Sequence, residues 1–281
     1  MSLNSVNTNM GAMVALNSLN QTNSQLQAVQ KQISTGYRVS DASDDGAAFA
    51  IAQRVRSDVG ALTTANQQLG GVQGLLQTTT AGLTNVSNQM SSMRKVLTDL
   101  ASGNTVGDAR TQDISNYNSM LAQLKTDISD ATYNGKTLIG NIGSGTSGFG
   151  AVNVVRNEVG STYNIGTFSG SALYNSLTIS ASITAGAAAA LITAGGSFLT
   201  QFSSVGSQLN AYGAATNYVN GQVSYNNNKI DALNGGLGSL IDADLAKESA
   251  QLQALQIRQQ LGTQSLSIAN QAPQSLLSLF K

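Results

Sequence analysis

The chain has 281 residues, 14 of them Lys or Arg, 14 Asp or Glu and none His, Cys or Trp, so its formal net charge is zero. Only 10% of residues are charged, against roughly 25% in an ordinary globular domain, and polarity rests instead on 108 Asn, Gln, Ser and Thr residues. Without His or Cys there is no His-based triad, thiol nucleophile, structural zinc site or disulfide framework, and neutrality without a basic run leaves no electrostatic footprint for nucleic acid or an anionic membrane.

No cofactor, no nucleic acid and no membrane insertion are therefore expected. A spanning helix needs about 20 apolar residues, and the best run, Ala185 to Ala194, is about half of that and carries Gly186 and Thr193. Met1-Ser2-Leu3-Asn4-Ser5 has no cationic start and no apolar run behind it, so a cleaved secretory signal is not expected.

Charges are absent from residues 1–30, from the stretch between Glu158 and Lys229, and from Gln259 to Phe280. A buried unpaired charge costs several kcal/mol, so charge-free ends suit segments that pack against copies of themselves. In the first segment Leu3, Val6, Met10 and Met13 step by three and four, Leu16 and Leu19 follow, and Leu26, Val29 and Ile33 resume the spacing. This pattern predicts an amphipathic helix.

Asp44 and Asp45 precede the run from Ala47 to Val55, where carboxylates cap free N–H groups and meet the positive end of a helix dipole. A helix is expected to start there, although Gly60, Gly70, Gly71, Gly74 and Gly82 each cost about 1 kcal/mol relative to Ala. A second long helix is predicted over Gln112 to Ser129, burying Ile114, Leu121, Leu124 and Ile128. From Gly140 to about Ile183, short apolar segments around Val152, Val154, Val155, Tyr163, Ile165, Leu177 and Ile179 are separated by Gly and Asn, which are strand and hairpin signals. A third long helix is predicted from Ser197 to Leu233 on Phe198, Phe202, Val205, Leu209, Tyr212 and Val219. At the end, Leu245, Leu252 and Leu266 share one seven-residue ladder and Ala254, Leu261 and Ile268 another, the mark of helices that pair along their length. The sole proline, Pro273, lies past both ladders. The two ends are expected to pair with each other.

Chemistry-bearing motifs are weak. Gly143-Ser144-Gly145-Thr146-Ser147-Gly148 matches GxGxxG, but a strand-like run follows it in place of the helix that would hold a pyrophosphate. Asp41, Ser43, Asp45 and Gly46 imitate half a calcium loop, but position twelve is Ala52, where a bidentate Glu is required.

Against this background, Gln32-Ile33-Ser34-Thr35-Gly36-Tyr37-Arg38-Val39 through Asp44-Asp45-Gly46-Ala47-Ala48 resembles the bacterial flagellin signature. Gln77 to Leu83, Tyr133-Asn134-Gly135-Lys136-Thr137-Leu138-Ile139, Asp242 to Glu248, Gln256 to Gly262 and Ala269 to Phe280 are similar to further flagellin motifs, in family order. The resemblance implies a mainly α fold, with long antiparallel helices forming a coiled-coil-like rod and a small β-rich insert at the outer end. It implies an inner domain of 1–40 with 242–281, a helical core of 41–139 with 190–241, and a short variable insert at 140–189. It further implies a non-enzymatic structural subunit of the flagellar filament, outside the cell, exported without signal cleavage. The partners implied are copies of itself, filament cap and hook–filament junction proteins, an export chaperone and the type III export apparatus. The alternative is a hook–filament junction protein, which shares the terminal helices but does not polymerise indefinitely.

The expected inner assembly interface comprises Leu3, Val6, Met10, Met13, Leu26, Val29, Ile33, Leu245, Leu252, Leu261, Leu266, Ile268, Leu276, Leu279 and Phe280. Arg54, Arg56, Asp58, Asp108, Arg110 and Asp113 are candidate lateral charges. Ser91 to Thr98 aligns with a stretch that a vertebrate innate immune receptor reads in many flagellins. It keeps Arg94 but has Ser92 and Lys95 where the family has Arg and Glu, so weak receptor activation is expected.

Overall fold

The computed structural model describes residues 8–140, 142 and 148–278, the last seven of these by backbone alone. Leu3, Val6, Leu279, Phe280 and most of the GxGxxG match lie outside the described residues. In chain order the elements are α1 (Met10–Thr35), α2 (Gly46–Ala101), α3 (Gly107–Asp130), β1 (Val152–Val155), β2 (Thr162–Ile165), α4 (Gly170–Leu177), α5 (Ala185–Ile192), α6 (Ser197–Ile241) and α7 (Leu245–Ser278). The chain divides into two compact units, one of Met1–Ser57 with Asp231–Lys281 and one of Asp58–Ile230.

Helix ends follow local chemistry. The Asn9 side chain accepts a hydrogen bond from Ala12 N at 3.0 Å and starts α1, while Gly36, at φ 73°, closes it by donating to Gln32 O at 2.9 Å. Asp45 Oδ1 accepts from the amides of Ala47 and Ala48 at 3.1 and 3.0 Å, which is the cap expected of it. Asp244 Oδ1 does the same for α7 through Ala246 and Lys247. The backbone of α7 continues through Pro273.

In the second unit, α2 and α6 run antiparallel, and two amide pairs fix their register: Asn66 Nδ2 donates to Asn227 Oδ1 at 2.8 Å and Gln73 Nε2 to Asn220 Oδ1. Buried Leu69, Leu76, Leu83, Met90, Met93 and Leu97 line the inner side of α2. Ile114, Tyr117, Leu121, Leu124 and Ile128 of α3 and Phe198, Val205, Tyr212 and Val219 of α6 complete the same core. Two glycines admit the chain that follows α3: a Cβ at Gly74 would lie 2.6 Å from the Tyr133 ring, and one at Gly82 2.6 Å from Ala131 Cβ.

The insert holds one antiparallel hairpin, with Val152 opposite Ile165 and Val154 opposite Tyr163, and two short helices. Leu177 lies in α4 and not in a strand. Ser169 caps that helix by accepting from Ala172 N at 3.2 Å, and Leu173 and Leu177, four residues apart, are both buried, so helical spacing decides the conformation. Tyr163 stacks on Tyr218 of α6 with ring centroids 4.1 Å apart. Glu158 meets Lys229 at 2.5 Å, a pairing that lowers the Glu158 carboxyl and raises the Lys229 ammonium from their ordinary pKa values.

By length and composition Ala185–Ile241 qualifies as a membrane-span candidate, with mean hydropathy 1.2 over its best 18-residue window, which is more than the apolar run alone suggested. The stretch is not one helix: α5 ends at Ile192, and Gly195, at φ 84°, turns the chain before α6 begins. Its large apolar residues Phe198 and Val205 belong to the core of the second unit.

Candidate self-assembly interface

Within the first unit, α1 and α7 lie antiparallel, with Cα atoms of facing residues within 8 Å. Asn9 Nδ2 donates to Ala269 O at 2.7 Å, Leu19 faces Gly262, and Gln259 Nε2 donates to Asn23 Oδ1 at 2.8 Å. Ala12, Ala15, Leu19, Thr22, Leu26, Val29 and Ile33 form the shielded row of α1, beside partly covered Asn23, Lys31 and Gln32, and Glu248, Leu252, Leu255, Gln259, Gly262, Leu266 and Ala269 that of α7. Both series alternate steps of three and four, the heptad seam of paired helices. Ala and Gly in the seam let the two backbones approach closely, and Gln and Asn satisfy one another where a charge would be costly.

This seam sorts the expected interface residues into two groups. Leu26, Val29, Ile33, Leu252 and Leu266 face the partner helix within the chain, with Val29 fully buried. Met10, Met13, Leu245, Leu261 and Ile268 point away from it, exposed by 63%, 62%, 49%, 62% and 59%. Val14, Leu16 and Ile257 are exposed with them, and Leu276 is described by backbone only. The Ala254, Leu261, Ile268 ladder is thus not an intramolecular seam at all. Val14, Ile257 and Leu255 escaped the sequence reading because they fall off its ladders; the residues seven before and seven after Leu255 are Glu248 and Gly262, neither of them large and apolar.

Exposed large apolar side chains on two paired helices are unusual for a soluble monomer and mark contact surfaces. The only charges of α1 and of the described part of α7 are Lys31, Lys247, Glu248 and Arg258, so the exposed face toward the ends of the chain is both apolar and neutral.

Charge gathers instead where α1 turns into α2. Lys31 Nζ lies 2.6 Å from Asp41 Oδ2 and 2.8 Å from Asp44 Oδ1. The Lys31 ammonium, helped by Ser43, holds the Asp41 carboxyl down at about 2; Lys31 and the Ser40 amide and hydroxyl hold Asp44 lower still. Asp41 and Asp44 therefore serve an ion triad. The turn is tied to the start of α7 by Ala243 N donating to Gly36 O at 3.0 Å and Arg38 N to Ile241 O at 2.7 Å.

Among the candidate lateral charges, Arg54 is exposed and Arg56 sits 5.7 Å over the Tyr37 ring. Asp108 is exposed in the first turn of α3, while Asp58 and Asp113 are partly covered. Arg110 is a correction. Its guanidinium donates to Ile183 O at 2.6 and 3.1 Å, to Leu100 O at 3.0 Å and to Thr105 O at 3.3 Å, so it ties α3 to its own surroundings and is not free for a neighbour.

Paired end helices with an outward apolar face, carried by a chain with a helical core, define a self-assembling structural subunit. The family model for the bacterial flagellin N-terminal helical region matches residues 6–144, and that for the C-terminal helical region matches residues 192–280. The chain belongs to the bacterial flagellin family, and it is a structural subunit of the extracellular flagellar filament. Flagellin FljK of Caulobacter vibrioides is 34% identical over 283 residues, covering 100% of each chain, and a flagellin of Brucella melitensis is 31% identical over 295 residues, covering 99% of each. The crystal structure of Bacillus cereus flagellin has a similar fold, with TM-score 0.50 and 17% identity over 57% of this chain and 88% of that one. Nothing in the fold or the relatives favours the junction-protein alternative.

Proposed function

We propose that the chain polymerises through the outward apolar faces of α1 and α7, with residues 1–40 and 242–281 as the inner domain, 41–139 with 190–241 as the core and 140–189 as the outward variable insert. The observation that carries this is the row of exposed Met10, Met13, Leu261 and Ile268 on a neutral surface. A subunit that meets its copies through two different surfaces, with a rotation that does not close, builds an open helical filament. Arg54, Arg56, Asp58, Asp108 and Asp113 are the remaining lateral candidates.

The same family resemblance supports export through the flagellar type III apparatus with a chaperone, without signal cleavage, and contacts with cap and junction proteins at the filament ends. It also supports a purely structural role without enzymatic activity, cofactor, nucleic-acid partner or membrane insertion. Electron microscopy of the chain added to filament seeds tests the central claim. Long filaments are expected from the full chain and none from a chain ending at residue 258 or from Leu261→Asp with Ile268→Asp; extension by either variant overturns it.

A further inference from the structure

Among the described residues the methionines fall into two groups. Met90 and Met93 are fully buried in the core of the second unit, and Met120 is partly buried against it. Met10 and Met13 stand 63% and 62% exposed in the first turn and a half of α1, beside exposed Val14. The antiparallel register that sets Leu19 against Gly262 and Asn23 against Gln259 places exposed Ile268 at the level of Met13. Both flexible thioethers therefore lie on the apolar face that the proposed assembly uses.

We propose that Met10 and Met13 are a modification site for peroxide-type two-electron oxidants, and that their oxidation in the free subunit blocks its addition to the filament; this rests on the self-assembly reading above. A thioether sulfur attacks a peroxide oxygen, the S–O bond forms as the O–O bond breaks, sulfur loses two electrons and the peroxide leaves as water. The product sulfoxide is polar and chiral, and burying it against apolar neighbours without a hydrogen bond is unfavourable. The exposed pair reacts first because Met90 and Met93 are sealed from solvent. Once packed in the polymer, the pair is shielded, so the sensitivity belongs to the subunit before assembly.

The test treats the full-length chain with hydrogen peroxide, maps the added mass of about 16 Da per sulfur by peptide mass spectrometry, and measures seed extension. Oxidation is expected at Met10 and Met13 of the free chain and not of the filament, with extension slowed about tenfold or more and restored by methionine sulfoxide reductases. For Met10→Leu with Met13→Leu, a volume-conserving change, treated and untreated chains are compared with each other, and peroxide is expected to leave the variant's own rate of extension unchanged. Equal extension by the oxidised chain, or equal peroxide sensitivity of the double variant, overturns the proposal while leaving the self-assembly reading intact. Untreated chain that extends no seed overturns that reading, and this proposal with it.

Discussion

Leu19 lies over Gly262: a Cβ at position 262 would stand 3.2 Å from Leu19 Cδ1, so the absence of a side chain there sets how closely α1 and α7 approach. Gly262→Val is expected to wedge the seam apart. Overpacking of this kind costs about 1–3 kcal/mol, and a loss of about 1.4 kcal/mol is tenfold in an equilibrium. The critical concentration for seeded polymerisation is therefore expected to rise about tenfold, and an unchanged value would remove the seam from the assembly.

One substitution should act with opposite signs at two glycines of α2. Gly82→Ala drives a methyl to 2.6 Å from Ala131 Cβ, an atom with no rotamer to yield, and should destabilise the second unit by about 1–3 kcal/mol. Gly60 has open space around its Cβ position, so Gly60→Ala should stabilise the helix by about 1 kcal/mol. Thermal melts of the two variants decide the point.

The hydroxyl of Tyr212 donates to Leu138 O at 3.0 Å and Gly166 O at 3.2 Å, and burial pushes its pKa up to about 12 from the ordinary 10.0. Burial pushes Tyr117, which donates to Leu177 O at 2.7 Å, up as well. The unfolded chain releases these protons first, so their contribution is complete below pH 10 and is lost as pH rises toward about 12. Melting temperature should fall across that window, and Tyr212→Phe should flatten the fall while lowering the plateau by about 1 kcal/mol for the lost hydrogen bonds, since Leu138 O keeps the Phe168 amide.

The free monomer is expected to keep its terminal segments largely unfolded. The outward faces of α1 and α7 bury too little to offset the ordering entropy before copies cover them. Fast amide exchange at residues 10–35 and 245–271, against slow exchange in α2 and α6, is the expected pattern. Slow exchange throughout would place their folding before assembly.

Arg94 and Lys95 are exposed on α2, and Ser92 is partly so. Weak activation of the innate receptor by purified monomer is expected, and Ser92→Arg with Lys95→Glu should raise it in receptor-bearing cells. Activation by the unaltered chain equal to that of a flagellin carrying Arg and Glu there would refute the reading.

Helix starts were legible where a polar cap does visible chemistry: Asp45 marks the beginning of α2 in sequence and structure alike. The end of α6 was not. The predicted helix reaches only Leu233, yet α6 continues through Gly235, Gly236 and Gly238 to Ile241, because Ile241 packs with Val39, Ala48 and Ala52 in a small core of its own. Pairing of the chain ends was also legible, but not which residues pair. Six of the fourteen seam positions are Ala, Gly, Thr or Gln, which interrupt the hydrophobic periodicity, and the conspicuous Met, Leu and Ile residues divide between seam and surface. The charged middle hid a further feature, since residues 59–93 hold no charge at all, although α2 exposes one side along its length.

The amide pairs between α2 and α6 have a consequence for the medium in which the protein works. Asn66 with Asn227, Gln73 with Asn220, and buried Asn226, which donates to Asn66 Oδ1 at 2.8 Å and accepts from Gln222 at 2.9 Å, lock the two long helices in register through groups that carry no net charge. Counter-ions screen charges over about 10 Å at 0.1 M salt, but have nothing to screen in these bonds. The register of α2 against α6 is therefore expected to change little between dilute water and brine.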